Sequence, residues 1–242
     1  MNILVRETYE KMSEAAATIF VSQVISKPDS IIGLATGSTP LGTYAGIIQR
    51  YQEGIVDFKA VRSFNLDEYK GIDKSNDQSY DYFMWENLFS KINICKDNVK
   101  IPNGKADNIQ QECDAYDEMI DRAGGIDIQL LGIGVNGHIG FNEPADVFEP
   151  KTHVVELDKK TIQSNARFFS SIEEVPKFAV TMGIGTIMKA KKIVLIATGE
   201  NKAEIMREVI YGKVTPQVPA SILQFHNNVT IILDAEAASK LK

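Results

Sequence analysis

The sequence predicts an α/β fold: a single domain built on a doubly wound, mostly parallel sheet with helices on both faces. Three observations lead there. Short apolar runs recur at residues 31–35, 126–133, 193–197 and 229–233. Mostly apolar runs of that length are strands covered on both sides. Between them lie stretches with helical spacing, and strands alternating with helices make parallel sheets. Finally, glycine-rich or small-residue turns follow two of the runs, at 36–40 and 132–137. An open α/β sheet gathers its chemistry at such strand ends.

The elements follow in order. Residues 7–26 place Tyr9, Met12, Ala16, Ile19, Phe20 and Val24 near helical spacing, an amphipathic surface helix that Pro28 ends. The run 31–35 is a strand, followed by Thr36-Gly37-Ser38-Thr39-Pro40 and a helix over 41–52. Residues 61–66 form a second strand and lead into Asp67-Glu68-Tyr69. The aromatic stretch 80–89 is a helix whose rings are core or packing surface, and it is assigned no chemistry. A short strand falls at 98–101, then an amphipathic helix over 109–123 stopped by Gly124-Gly125. The run 126–133 is the third main strand. Residues 145–151 look irregular, 152–157 form a strand and 159–167 a helix. Strands at 178–182 and 193–197, a helix over 203–211, a helical turn at 220–225 and a last strand at 229–233 complete the chain. With no repeat, linker or composition shift, residues 1–242 read as one Rossmann-like domain.

Composition excludes several classes. A net charge of −6 and a pI near 5.2 offer no broad basic surface to nucleic acid or a bilayer. Two cysteines, Cys95 and Cys113, without CxxC spacing argue against a disulfide framework and a cysteine zinc site. No stretch has a signal peptide's apolar segment or a membrane helix's length. The expectation is a cytoplasmic protein.

The turn at 36–40 has two readings. It is a helix start with Thr39 as the cap and Pro40 first in the helix, or an anion site where unpaired N–H groups meet the helix dipole. It is not a nucleotide P-loop. Gly132, Gly134 and Gly137 match the dinucleotide fingerprint, with Glu156 lying 19 residues on. Pro144 argues against that reading, because the fingerprint needs a helix to begin there. Instead Asn136, His138, Asn142 and Glu143 crowd into eight residues beside a strand end. Histidine titrates near neutrality and shuttles protons, and a carboxylate such as Glu143 can orient it. The histidines lack HxxxH or HExxH spacing, so no metal site is expected.

Four blocks resemble the glucosamine-6-phosphate deaminases: Asn65-Leu66-Asp67-Glu68-Tyr69, GxxGHIxFNEP at 134–144, SNARFF at 164–169, and Gly199 with Lys202 in GxxK. The resemblance runs from the 36–40 turn almost to the last residue. It implies conversion of glucosamine 6-phosphate and water to fructose 6-phosphate and ammonia, with no cofactor and no metal. It implies His138 as the ring-opening shuttle, oriented by Glu143 and Asn136, and Asp67 as the base at C2. Gly37, Ser38, Thr39, Gly137, Arg167 and Lys202 would bind substrate, and residues 145–176 would form a lid. The partner is then a small amino-sugar phosphate, with monomer or homo-oligomer left open. Two departures stand out. Many relatives carry aspartate where this chain has Asn136. The region after the FNEP block, where allosterically activated relatives are basic, has only Lys151 as a basic residue beside His153, so no activation by an N-acetylated amino-sugar phosphate is expected. Competing readings are a sugar-phosphate lactonase of the same fold and a non-catalytic sugar-phosphate sensor.

Overall fold

A computed structural model describes residues 1–166, 169 and 171–241. In chain order the strands are β1 (Asn2–Arg6), β2 (Ile31–Leu34), β3 (Arg62–Asn65), β4 (Asp67–Tyr69), β5 (Val99–Lys100), β6 (Ile128–Leu131), β7 (His153–Glu156), β8 (Phe178–Thr181), β9 (Ile193–Ala197) and β10 (Val229–Asp234). The α-helices are α1 (Tyr9–Ser26), α2 (Leu41–Gln52), α3 (Tyr80–Asn87), α4 (Ile109–Ala123), α5 (Lys159–Asn165), α6 (Ile184–Met188) and α7 (Ala203–Tyr211). Seven strands make one sheet in the order β1-β10-β9-β6-β2-β3-β5, and every neighbouring pair is parallel. The doubly wound, mostly parallel, single-domain architecture is therefore present.

Side-chain alternation along these strands feeds two separate cores. Ile31, Phe64, Leu131, Leu195 and Ile231 pack on one face with Tyr116 and Ile120 of α4 and Met206 and Val209 of α7. Ile32, Leu34, Leu130, Val194 and Ile232 pack on the other with Met12, Ala16 and Phe20 of α1 and Tyr44 and Ile47 of α2. Each such Ile, Leu or Phe, buried almost completely, stabilises the fold by about 1.5–3 kcal/mol. Gly124 closes α4 in a left-handed conformation at φ 100°, with its N–H returned to the last turn.

The topology differs from the sequence expectation in two places. Residues 2–6 form an edge strand pairing in register with Thr230 to Asp234. Ile3 and Val5 point outward there, so no buried run marks it. Asp67-Glu68-Tyr69, placed by the sequence just past a strand, is itself a strand and joins β8 and β7 in a small antiparallel sheet of order β4-β8-β7. Only Leu66 separates it from β3. Leu66 N–H donates to Leu34 O at 3.1 Å and its carbonyl accepts from Met182 N–H at 2.7 Å, which ties the two sheets together. A third, smaller apolar cluster covers this region: Tyr69, Phe141, Leu157 and Ala179, with Tyr80, Ile162 and Phe169 against it.

The winding direction reverses beside β2. The chain runs outward through β3 and β5, then returns to lay β6 on β2's other side before β9 and β10. Ligands bind at such a switch point, at the carboxyl ends of the flanking strands. The turns after β2 and β6 are the two that the sequence singled out.

Candidate active site

A cavity of about 420 Å³ opens between those two turns. Residues 36–40 line one side, Asp67, Tyr69 and Tyr80 another, and Gly132 to Asn136 with His138 a third, while Lys202 reaches in from the turn after β9. Asp67 and His138 thus face one space.

At the first turn, Gly37 takes φ 102°, a conformation that glycine adopts without strain, and a Cβ there would meet nothing. Helix α2 begins at Leu41 with Pro40 in the cap position and no side-chain cap hydrogen bond. Thr39 does not cap the helix, which removes the bland explanation for that residue. Its carbonyl is instead held by Tyr9, whose hydroxyl donates to Thr39 O at 3.1 Å and accepts from Gly42 N–H at 2.8 Å. Residues 36–40 line the cavity at a helix start, an arrangement that favours an anion.

Alternation along β4 separates the two adjacent acids. Glu68 turns away from the cavity and accepts from the backbone N–H groups of Tyr69 at 2.8 Å, Tyr80 at 2.9 Å and Asp81 at 3.0 Å, which anchors the start of α3. Burial pushes its carboxyl up to about 7 although those three donors pull the other way. Asp67, 6% exposed, has no hydrogen-bond donor among the described residues. Burial, and then the neighbouring Glu68 charge, push it up to about 8.

The glycine turn after β6 carries no helix: residues 132–152 are turns and extended chain with a single bridge between Ile139 and Asn142. That disposes of the dinucleotide reading, since no helix start exists to meet a pyrophosphate. Gly134 is required for another reason. A Cβ there would lie 2.2 to 2.5 Å from the His138 ring, so the imidazole occupies the space that a side chain would take. His138 Nδ1 lies 3.1 Å from Glu143 Oε2. Asn136 Nδ2 donates to the same oxygen at 2.7 Å, and Asn136 Oδ1 accepts from His138 N–H at 3.3 Å. Thr161 of α5 donates its hydroxyl to the other oxygen, Glu143 Oε1. Burial pushes the Glu143 carboxyl up, but the bonds and charge of His138 and the donors Thr161 and Asn136 outweigh it and hold it below the ordinary value. With Nδ1 facing the carboxylate, Nε2 is the nitrogen left for substrate.

Lys202 Nζ donates to Ile133 O at 2.7 Å. Its turn is set by Asp234, which accepts from Thr198 Oγ1, from Gly199 N–H and, at 2.8 Å, from Ala237 N–H.

Of the residues that the sequence proposed, Gly37, Ser38, Thr39, Asp67, Asn136, His138 and Lys202 line the cavity, with Glu143 behind the imidazole. Gly137 does not line it. Its N–H donates to Gly134 O and its carbonyl accepts from Ala220 N–H, while its Cα faces Val218 and Ile205. It shapes the turn at φ 87°. Arg167 lies outside the described residues. Sequence reasoning missed Thr161 and Tyr80. Tyr80 stacks on Phe141 with an interplanar angle of 12° and walls the cavity. The aromatic stripe hid it, because one lining ring looks like its packing neighbours in sequence. No group of three His, Cys, Asp or Glu suited to a metal occurs among the described residues.

A buried carboxylate, an imidazole bonded to a second carboxylate and a helix-start turn share one cleft, the groups that proton-transfer chemistry on a small anionic substrate uses. A family model described as glucosamine-6-phosphate isomerases/6-phosphogluconolactonase matches residues 5–232. The chain belongs to that family. A glucosamine-6-phosphate deaminase of Clostridium botulinum (strain Alaska E43 / Type E3) is 59% identical, covering 100% of this chain and 97% of the relative. The deaminase of Clostridium novyi (strain NT) is 58% identical over 100% of both. A solved monomeric glucosamine-6-phosphate deaminase superposes with a TM-score of 0.97 at 45% identity, covering 99% of this chain and 100% of that one. A 6-phosphogluconolactonase from Trypanosoma brucei shares the fold, with a TM-score of 0.79 at 22% identity.

Proposed function

We propose that the protein converts glucosamine 6-phosphate and water to fructose 6-phosphate and ammonia. The observation that carries this reading is that two unlike groups line one cavity. Asp67 is a buried carboxylate without donors among the described residues, and His138 is an imidazole held by Glu143.

The phosphate binds the 36–40 turn through backbone N–H groups and the Ser38 and Thr39 hydroxyls, with Lys202 and Arg167 adding positive charge. His138 Nε2 takes the proton of the anomeric hydroxyl and returns one to the ring oxygen, which opens the ring to the aldehyde. Glu143 stabilises the imidazolium that forms between the two transfers, and Asn136 and Thr161 fix the carboxylate. Asp67, ionised, then takes the proton from C2, giving an enolamine, and delivers a proton to C1, giving the imine. Water adds to the imine carbon and ammonia leaves. A base near neutrality suits the C2 step, and the substrate's own ammonium at C2 favours the ionised form of Asp67 when it binds. Residues 145–176, with α5 against Glu143, close over the substrate and keep water from the enolamine.

A lactonase would need an activated water but no base at C2, and the relatives at 58–59% identity carry the deaminase name. The test is ammonia release on adding glucosamine 6-phosphate to the purified protein, in stoichiometry with fructose 6-phosphate. Turnover of a sugar-phosphate lactone without ammonia would overturn the reading.

A further inference from the structure

Thr161 takes no proton and touches no reacting atom in the scheme above, yet it is placed with care. It is the third residue of α5 and 6% exposed, and its hydroxyl donates to Glu143 Oε1. Glu143 Oε2 is occupied by Asn136 Nδ2 and His138 Nδ1, at 2.7 and 3.1 Å. The carboxylate is therefore held at both oxygens by two different parts of the chain. Its own glycine turn supplies the donors to one, and α5 supplies the donor to the other. Asn136 carries no charge, so Glu143 is the one carboxylate bonded to the imidazole among the described residues, and nothing compensates if it turns. The last torsion of a glutamate is broad and soft, so donors rather than rotamer preference fix the plane of the carboxylate. Helix α5 is seated by a modest contact: Ile162 packs on the small cluster of Tyr69, Phe141, Leu157 and Ala179.

We propose that Thr161 is a positioning residue: from α5, outside the glycine turn, its hydroxyl fixes the plane of the Glu143 carboxylate against His138 and so sets the rate of ring opening. The proposal rests on the deaminase reading. Removing the hydroxyl leaves Oε1 without a donor among the described residues and frees the carboxylate to rotate away from Nδ1. It also removes a donor that favours the charged carboxylate, so Glu143 holds its proton to higher pH. The titratable groups that line the same cavity are Asp67, Tyr69, Asp77, Tyr80, His138 and Lys202. All of them are kept in the variants below.

The experiment compares wild type, Thr161→Val and Thr161→Ser in ammonia release from glucosamine 6-phosphate across pH. Thr161→Val keeps the shape and loses the donor, and its kcat falls roughly tenfold, the worth of one hydrogen bond to a charged group, with KM nearly constant. The acid limb of its kcat profile moves to higher pH. Thr161→Ser restores both. A Thr161→Val enzyme with wild-type kcat and profile, or a Thr161→Ser enzyme as impaired as Thr161→Val, overturns the proposal while leaving the deaminase reading intact. Wild-type protein that releases no ammonia overturns that reading and the proposal with it.

Discussion

One carboxylate lines the cavity and a second stands behind its imidazole, and the fold treats them in opposite ways. Glu143 receives three side-chain donors, Asn136, His138 and Thr161, and is held below its ordinary pKa despite burial. Asp67 receives none among the described residues and is pushed up to about 8. A carboxylate wrapped in donors is a fixed charge: it orients and stabilises but is a poor proton acceptor. One stripped of donors takes protons readily. The two carboxylates are thus set apart by their surroundings: burial and the neighbouring Glu68 charge raise Asp67, while donors and the His138 charge outweigh burial at Glu143.

Removing the base gives the largest effect that the comparison predicts. Asp67→Asn lowers kcat by about 10³-fold or more, the upper range for a positioned general base, with KM little changed, as steady-state ammonia release will show. Removing the holder's charge is next. Glu143→Gln lowers kcat by roughly 10²-fold, because the imidazolium loses its counter-charge while the C2 base survives. Asn136→Asp brings a second carboxylate to the oxygen that Asn136 Nδ2 now reaches at 2.7 Å. Like charges there delay ionisation of the pair, so the acid limb of the kcat–pH profile moves up while KM stays near wild type. An unchanged profile would remove any electrostatic part for position 136.

The smallest effect is on stability. The folded state raises Asp67 from 3.8 to about 8 and Glu68 from 4.5 to about 7. Both groups then favour the fold most where they are protonated in either state, below pH 4. That contribution is lost as pH rises through 7 and 8. Asp67→Asn therefore raises Tm over wild type by a few degrees at pH 8.5, and by less at pH 5. Thermal melts at the two pH values give the difference.

The comparison also shows what sequence conveys and what it does not. The parallel sheet was legible because strands such as Ile193–Ala197 are apolar throughout, and local composition is enough to mark them. The edge strand Asn2–Arg6 was not, because its identity comes from pairing with residues over two hundred positions away. His138 and Glu143 are five residues apart and fell into one motif, whereas Thr161 arrives from α5, 18 residues beyond Glu143, and no local pattern announces it. Asp67 and Glu68 were equivalent as letters. Assigning Asp67 the C2 step came from resemblance, and the physical distinction came from β4, whose alternation sends one acid to the cavity and the other to the start of α3. For Thr39 the sequence allowed a cap or an anion site, and the helix begins beyond it without a side-chain cap bond.

The central claim is that Asp67 takes the C2 proton and the imidazole wall does not. Glucosamine 6-phosphate carrying deuterium at C2 tests it directly, with the label followed by NMR in the presence of wild type, Asp67→Asn and Glu143→Gln. The account predicts that wild type moves the label to C1 or solvent as ammonia appears. Glu143→Gln does so slowly, and Asp67→Asn leaves the label at C2 while still binding the sugar. Loss of the label in Asp67→Asn at the wild-type rate would contradict the account.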